Sequence, residues 1–253
     1  MRLTSIGHAT VLIELDGVRI LTDPLLRNRA GPLRTGPREV DRARLADLDA
    51  VVLSHFHRDH YDPPSLALLQ PSTLVVGPPG TARRLGRRGH SRVSELLPGE
   101  SVAIGNVEIR ATPANHGRMP APVRSVALGF VVAGSAGLYF AGDTDLFPEM
   151  ADLAADRLDV ALLPVGGWGP RLGRGHLDPQ RAVEALGLIR PRIAIPIHFG
   201  LLRPLGLGHL DLTYLAKPGD LFARLAAEAV PEVEVRILAP GQSLVLEPGG
   251  ASA

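Results

Sequence analysis

The segment Val51-Val52-Leu53-Ser54-His55-Phe56-His57-Arg58-Asp59-His60 places three histidines and an aspartate within six positions, directly after an apolar run. Burying such a set as ordinary core is costly unless every group finds a partner. A divalent cation satisfies all of them together. Imidazole suits zinc and other first-row metals, and a carboxylate adds charge neutralisation. Three more candidates close apolar runs downstream: His116 after Ile109 to Asn115, Asp143 after Leu138 to Gly142, and His198 after Ile193 to Ile197. Singly, each would be a structural residue. The repetition of strand followed by ligand points to side chains from different strands meeting at one edge.

The elements that must position them follow from the apolar runs. Arg2 to Ile6 and Val11 to Leu15 read as strands. Asp16-Gly17 is a hairpin turn signal, and Val18 to Leu21 is the returning strand. Thr22 to Arg44 has no periodicity and reads as a long loop. Further strands are expected at Ala50–Leu53, Thr73–Val76, Val107–Ala111, Val126–Val132, Leu138–Ala141, Val160–Leu163, Ile193–Ile197 and Val233–Leu238. Helical stretches fall between them, at Pro64–Leu69, Thr81–Arg88, Pro148–Ala155, Pro179–Ile189 and Gly219–Ala229. Asp178-Pro179 supplies an N-cap with proline at the first helical position. Strands with helices interspersed give a mixed α/β chain, sheets face to face and helices outside.

Composition narrows the chemistry. The chain has 253 residues, no cysteine and nine histidines, so sulfur ligands, a thiolate nucleophile and a disulfide scaffold are excluded. A formal charge of +1 gives no field to capture nucleic acid. The longest apolar stretch, Val126 to Gly142, is broken by Gly134, Ser135 and Gly137 and reads as two strands around a turn, not a membrane span. No signal peptide opens the chain, and the expectation is a cytoplasmic protein. No linker divides it, so residues 1–247 are expected to form one domain and 248–253 a disordered tail.

His55-x-His57-x-Asp59-His60, followed in order by His116, Asp143 and His198, resembles the metallo-β-lactamase superfamily over nearly the whole chain. The resemblance implies an αββα four-layer sandwich with a two-metal site on one edge. One metal would take His55, His57 and His116, the other Asp59, His60 and His198, and Asp143 would bridge them with a water or hydroxide. Flanking motifs narrow the likeness: Ile6-Gly7-His8-Ala9-Thr10, Thr22-Asp23-Pro24, Gly142-Asp143-Thr144, Gly175-His176-Leu177-Asp178-Pro179 and Ile197-His198-Phe199-Gly200. They are similar to a branch holding the N-acyl-phosphatidylethanolamine phospholipase D-like enzymes and, more distantly, the ascorbate phosphate lactonases.

That likeness implies a substrate-facing His176, as general acid or phosphate contact; the bland alternative is a loop histidine. His8 reads as a substrate-pocket group, as a neighbour of the metal ligands, or as a turn residue. Asp23 either orients a ligand histidine or forms an Asx turn. Trp168 reads as a pocket wall or lid. Arg83, Arg84, Arg87, Arg88 and Arg92 read as a solvated helix face or a phosphate-rich docking patch, and His90 and His209 as surface residues.

The expectation is a binuclear metal-dependent hydrolase with Asp59 and His176 as catalytic groups, His8, His176 and Trp168 at the substrate, and two divalent ions, zinc first, manganese or iron possible. Two cations make hydroxide available near neutral pH and stabilise the developing oxyanion, so no protein nucleophile is needed. The substrate class is a small or lipid-like phosphodiester or activated ester. The rivals are a lactonase of a phosphorylated sugar-like substrate, a nuclease, and a non-catalytic scaffold.

Overall fold

In the computed structural model, residues 1–36, 38, 40–86, 89–116, 126–167, 172–204 and 217–247 are described. The chain opens with an antiparallel meander, β1 (Arg2–Gly7), β2 (Thr10–Leu15) and β3 (Val18–Thr22). Asp16 and Gly17 both have positive φ, 51° and 80°, which matches the type I′ turn their identities favour. A small hairpin follows, β4 (Arg29–Ala30) and β5 (Leu33–Thr35). Then come β6 (Ala50–Val52), helix α1 (Pro63–Leu66), β7 (Leu74–Gly77), helix α2 (Thr81–Gly86) and β8 (Val93–Glu95). The second half carries β9 (Ser101–Ile104), β10 (Val107–Pro113), β11 (Leu128–Ala133), β12 (Gly137–Phe140) and β13 (Val160–Pro164). It continues with α3 (Pro179–Ile189), β14 (Ile193–Ile197), β15 (Leu202–Pro204), α4 (Lys217–Ala229), β16 (Glu234–Val235) and β17 (Ser243–Val245).

Two seven-stranded sheets result, in the orders β17-β1-β2-β3-β6-β7-β8 and β16-β14-β13-β12-β11-β10-β9. Successive residues of the central strands go to opposite faces, as the two-residue period requires. Leu138, Phe140, Val160, Leu162, Ile193 and Ile195 point inward with Ile13, Ile20, Ala50 and Val52 into one core between the sheets. Their neighbours Tyr139, Ala161, Leu163 and Ala194 face outward and are covered by α3 and α4 through Ala182, Leu186, Phe222 and Ala226. On the far side, Leu12, Leu21, Val51, Leu53 and Val75 are covered by Leu66 and Leu85 of α1 and α2. Strands buried on both faces read as unbroken apolar runs, which is why the sequence exposed them. The outcome is helix, sheet, sheet, helix: an αββα sandwich.

Several details differ from expectation. The supposed loop after Thr22 contains β4 and β5, and β5 pairs with β15 on its other side to make a third, three-stranded sheet. The stretch expected as a helix from Pro148 winds as a 3-10 element over Pro148–Asp156. Only Glu234–Val235 of the expected last long strand pairs. His90 is buried at 6% exposure, not a surface residue. The 248–253 tail, Arg87, Arg88 and His209 lie outside the described residues. Among the described residues no helix is long and apolar enough to cross a membrane.

Candidate metal centre

Strand direction brings the candidates to one edge. β3 and β6 are parallel, as are β12, β13 and β14, so within each sheet these strands finish on the same side. β1 and β10 lie two antiparallel steps from β3 and β12 and run with them. Just past these ends stand His8 after β1, Asp23 after β3, His55 to His60 after β6, His116 after β10, Asp143 after β12 and His198 after β14. His8, Asp23 and His198 have positive φ, at 58°, 30° and 63°, so the chain turns sharply as each strand ends. Gly142 lets the sheets close here: at φ +60 an added Cβ would lie 2.5 Å from Ser54 Cβ. Leu128 N donates to Ser54 O at 3.0 Å beside it, tying the second sheet to the first.

Four of the rings are held by a hydrogen bond on one nitrogen, with the other turned to the centre. His60 Nδ1 donates to Asp23 Oδ2 at 2.6 Å, His116 Nδ1 to Gly175 O at 2.7 Å and His198 Nδ1 to Gly166 O at 2.9 Å. His55 Nδ1 donates to Ser54 Oγ at 2.9 Å, and that hydroxyl donates in turn to Asp23 Oδ2 at 2.5 Å. Asp23 thus reaches one ring directly and another through Ser54, a role the Thr22-Asp23-Pro24 motif left open against an Asx turn. The free nitrogens then converge. His57 Nδ1 lies 2.9 Å from His55 Nε2 and 3.0 Å from His116 Nε2. Asp143 completes this group, and His8, Asp59, His60 and His198 form a second. Asp143 lies between them, Oδ2 at 3.2 Å from His60 Nε2 and 3.9 Å from His55 Nε2, Oδ1 at 3.2 Å from His198 Nε2.

The donor set fits divalent cations. His60 Nε2, His198 Nε2 and Asp143 Oδ1 are buried without a hydrogen-bond partner. Buried polar atoms are rarely left so. With the Nδ1 atoms of His55, His60, His116 and His198 occupied, the site presents bare imidazole lone pairs and carboxylates, the donors such ions take. In the first group the electrostatics agree, whereas at His60 burial is outweighed by the carboxylates of Asp143, Asp59 and Asp23, which raise the ring's pKa, so a cation there would displace a proton. Burial pushes the His116 ring down to about 4, with His57 and His176 adding repulsion, and holds His55 well below the usual imidazole range. These rings stay neutral. Burial also opposes a charge on Asp143, yet His198 and His60 outweigh it and keep the carboxyl well below its ordinary value.

The remaining candidates separate. His176, half-buried, puts Nε2 3.4 Å from Asp143 Oδ2 and lines an open cavity of about 350 Å³ with His57, Arg58, Asp59, Asp143 and His198. His8 does not line that cavity. Its Nε2 sits 3.2 Å from Asp59 Oδ2 and its ring 4.1 Å from that of His198, on the side of a second cavity behind the centre. Trp168 lies outside the described residues. Sequence reasoning passed over Ser54 and Gly175. Ser54 carried a weak signal, a hydroxyl ending an apolar strand beside a histidine; Gly175 carried only its place in the motif before His176.

Two face-to-face sheets with a histidine and aspartate cluster at one edge define a metallo-β-lactamase fold, a class of metal-dependent hydrolases. The chain belongs to the beta-lactamase superfamily: the family model described as "Beta-lactamase superfamily domain" matches residues 18–199. It is 38% identical over 207 residues to a UPF0173 metal-dependent hydrolase of Opitutus terrae, covering 79% of this chain and 85% of that one. It is 34% identical over 249 residues to N-acyl-phosphatidylethanolamine-hydrolyzing phospholipase D 1 of Caenorhabditis elegans, covering 88% of this chain and 68% of the nematode protein. In fold it is similar to Igni18, a metallo hydrolase of Ignicoccus hospitalis, with TM-score 0.76, 24% identity, and 97% and 98% of the two chains covered.

Proposed function

We propose that this metal-dependent hydrolase is binuclear and cleaves small-molecule phosphodiesters or similarly activated esters. The observation that carries the reading is the position of Asp143 between two groups of donors, its Oδ2 3.2 Å from His60 Nε2 in one and 3.9 Å from His55 Nε2 in the other. His55, His57 and His116 would hold one ion, Asp59, His60 and His198 the other, with Asp143 shared. Zinc is the first candidate for an imidazole-rich set, with manganese and iron as competitors. Bound there, two divalent cations would supply Lewis acidity, lowering the pKa of a water toward neutral and drawing charge off the attacked group.

The chain's own residues do the rest. Asp23 and Ser54 fix which nitrogen His60 and His55 offer, and the carbonyls of Gly175 and Gly166 do so for His116 and His198. Leu33, Pro32, Ala30 and Leu172 give the cavity an apolar wall that limits water around a bound substrate. His176 stands at the open side of Asp143, where it can hand a proton from Nε2 to a leaving oxygen. Asp143 raises the pKa of that ring against the effect of burial, favouring the protonated form a general acid needs. Similarity to the nematode phospholipase D supports a phosphodiester over other esters. The test is metal analysis of protein purified without chelator, run beside chromogenic phosphodiesters, lactones and carboxylic esters. About two metals per chain and a preference for diesters are expected. One metal refutes the binuclear site, and a preference for lactones moves the substrate class.

A further inference from the structure

The substrate cavity carries a charge that the proposed metal centre does not use. Arg58 lies between His57 and Asp59, so the ligand loop fixes its backbone, yet its side chain is exposed and lines the cavity beside Leu33, Leu172 and His176. Among the described residues no carboxylate pairs with it. Asp59 and Asp143, the acids of the cavity wall, are engaged by the histidines. Arg58 rests on the turn between β4 and β5. A Cβ on Gly31 would sit 3.1 Å from its Cδ and 3.3 Å from its Nη1, and Gly31 has φ +56, so clearance and backbone both call for glycine there. The guanidinium thus passes close over this turn, next to an apolar wall.

A guanidinium offers paired N–H groups that match two oxygens of a carboxylate or phosphate, and it stays charged at any working pH. With no carboxylate partner among the described residues, it would find that match in the ligand. We propose that Arg58 is an anion-recognition group: the substrate carries, besides the group cleaved at the metals, a second anionic oxygen group at the end of a short apolar arm. This deepens the hydrolase reading above and rests on it for the position of the cleaved group.

The test uses the metal-loaded protein and needs no turnover. Binding of alkyl phosphonates is measured by calorimetry against ω-carboxyalkyl phosphonates and bisphosphonates of the same two-, three- and four-carbon arms. At one arm length the doubly anionic probe should bind about tenfold tighter than its alkyl partner, as a single charge-assisted contact at the rim allows. Whether carboxylate or phosphonate gains more identifies the second group. Arg58→Gln should erase the gain while metal content and melting temperature hold, and Arg58→Lys should restore part of it. No gain at any arm length, or a gain that survives in Arg58→Gln, overturns the proposal. A protein that passes this test but cleaves no diester overturns the diesterase reading alone.

Discussion

Asp23→Asn is the sharpest perturbation of the centre, because it changes one atom and leaves the backbone alone. Asp23 sits at φ +30, a conformation asparagine tolerates well. Its Oδ1 accepts from Ser54 N at 2.7 Å, and its Oδ2 accepts from Ser54 Oγ at 2.5 Å and His60 Nδ1 at 2.6 Å. An amide cannot accept on both sides. The Ser54 N–H cannot turn away, so the amide oxygen must keep the Oδ1 place and the NH₂ must take the Oδ2 place. It then faces the Nδ1–H of His60. Relief comes by moving the ring proton to Nε2, the nitrogen directed at Asp143 and the second cluster. The Ser54 hydroxyl loses its carboxylate acceptor too, and its proton turns to His55 Nδ1, which moves that ring's proton to Nε2 as well.

One substitution therefore disturbs a ligand in each cluster. Loss of a partner that orients a metal-bound histidine weakens affinity by about 10–100-fold, or about 1.4–2.7 kcal/mol for each ion. Competition against a graded chelator, with metal content read at each step, should show both ions leaving earlier than in the wild type. Ser54→Ala makes the matched control. It removes the acceptor of His55 but leaves the Asp23–His60 bond, so a single ion should be weakened. Wild-type affinity for both ions in Asp23→Asn refutes the tautomer argument. Equal loss of both in Ser54→Ala refutes the division of labour.

Gly175→Ala should be costly, since its Cβ would lie 2.6 Å from the carbonyl carbon of His116 at φ +86. A loss of about 1–3 kcal/mol in unfolding free energy and a fall in metal content are expected, and unchanged metal content would mean that Gly175 does not set the His116 ring. His176→Gln should keep the metals and the melting temperature while turnover of substrates with poor leaving groups falls by about 10²–10⁴-fold. Nitrophenolate leaving groups should suffer much less, and an equal loss on both would make His176 a positioning residue only. Burial lowers the pKa of His90, against a small opposing effect of its hydrogen bond to the backbone of Leu66. The folded chain thus resists a proton that the unfolded chain accepts near pH 6.5, so His90 supports the fold above that pH and its contribution is lost on acidification. Denaturant unfolding at pH 7.5 and 5 should show His90→Gln losing less stability than the wild type, and a parallel loss in both would refute this.

What the sequence displayed and what it hid divide along one physical line. Val51 to Leu53, Val160 to Leu163 and Ile193 to Ile197 are strands whose two faces are both buried, so every residue is apolar and each run stands out alone. The residues past those ends stand out for the opposite reason, since polar groups at the end of a buried strand need a purpose. β4, β5, β8 and β17 are two or three residues long, too short for alternation to register, and β5 and β15 are made strands by each other across 167 positions at the pair Thr35 and Leu202. Val233 to Leu238 has the composition of a strand but pairs only at Glu234 and Val235, because a partner decides pairing and composition does not. The centre divides in the same way. A histidine announces itself by type, but the nitrogen it offers is set by groups the local pattern cannot name: the carbonyl of Gly175 for His116, 59 positions away, and the carboxylate of Asp23 for His60, 37 positions away. Ligand identity is a local property of this chain and ligand orientation a tertiary one. Substitutions at Asp23, Ser54 and Gly175 therefore probe what the histidine motif leaves unspecified.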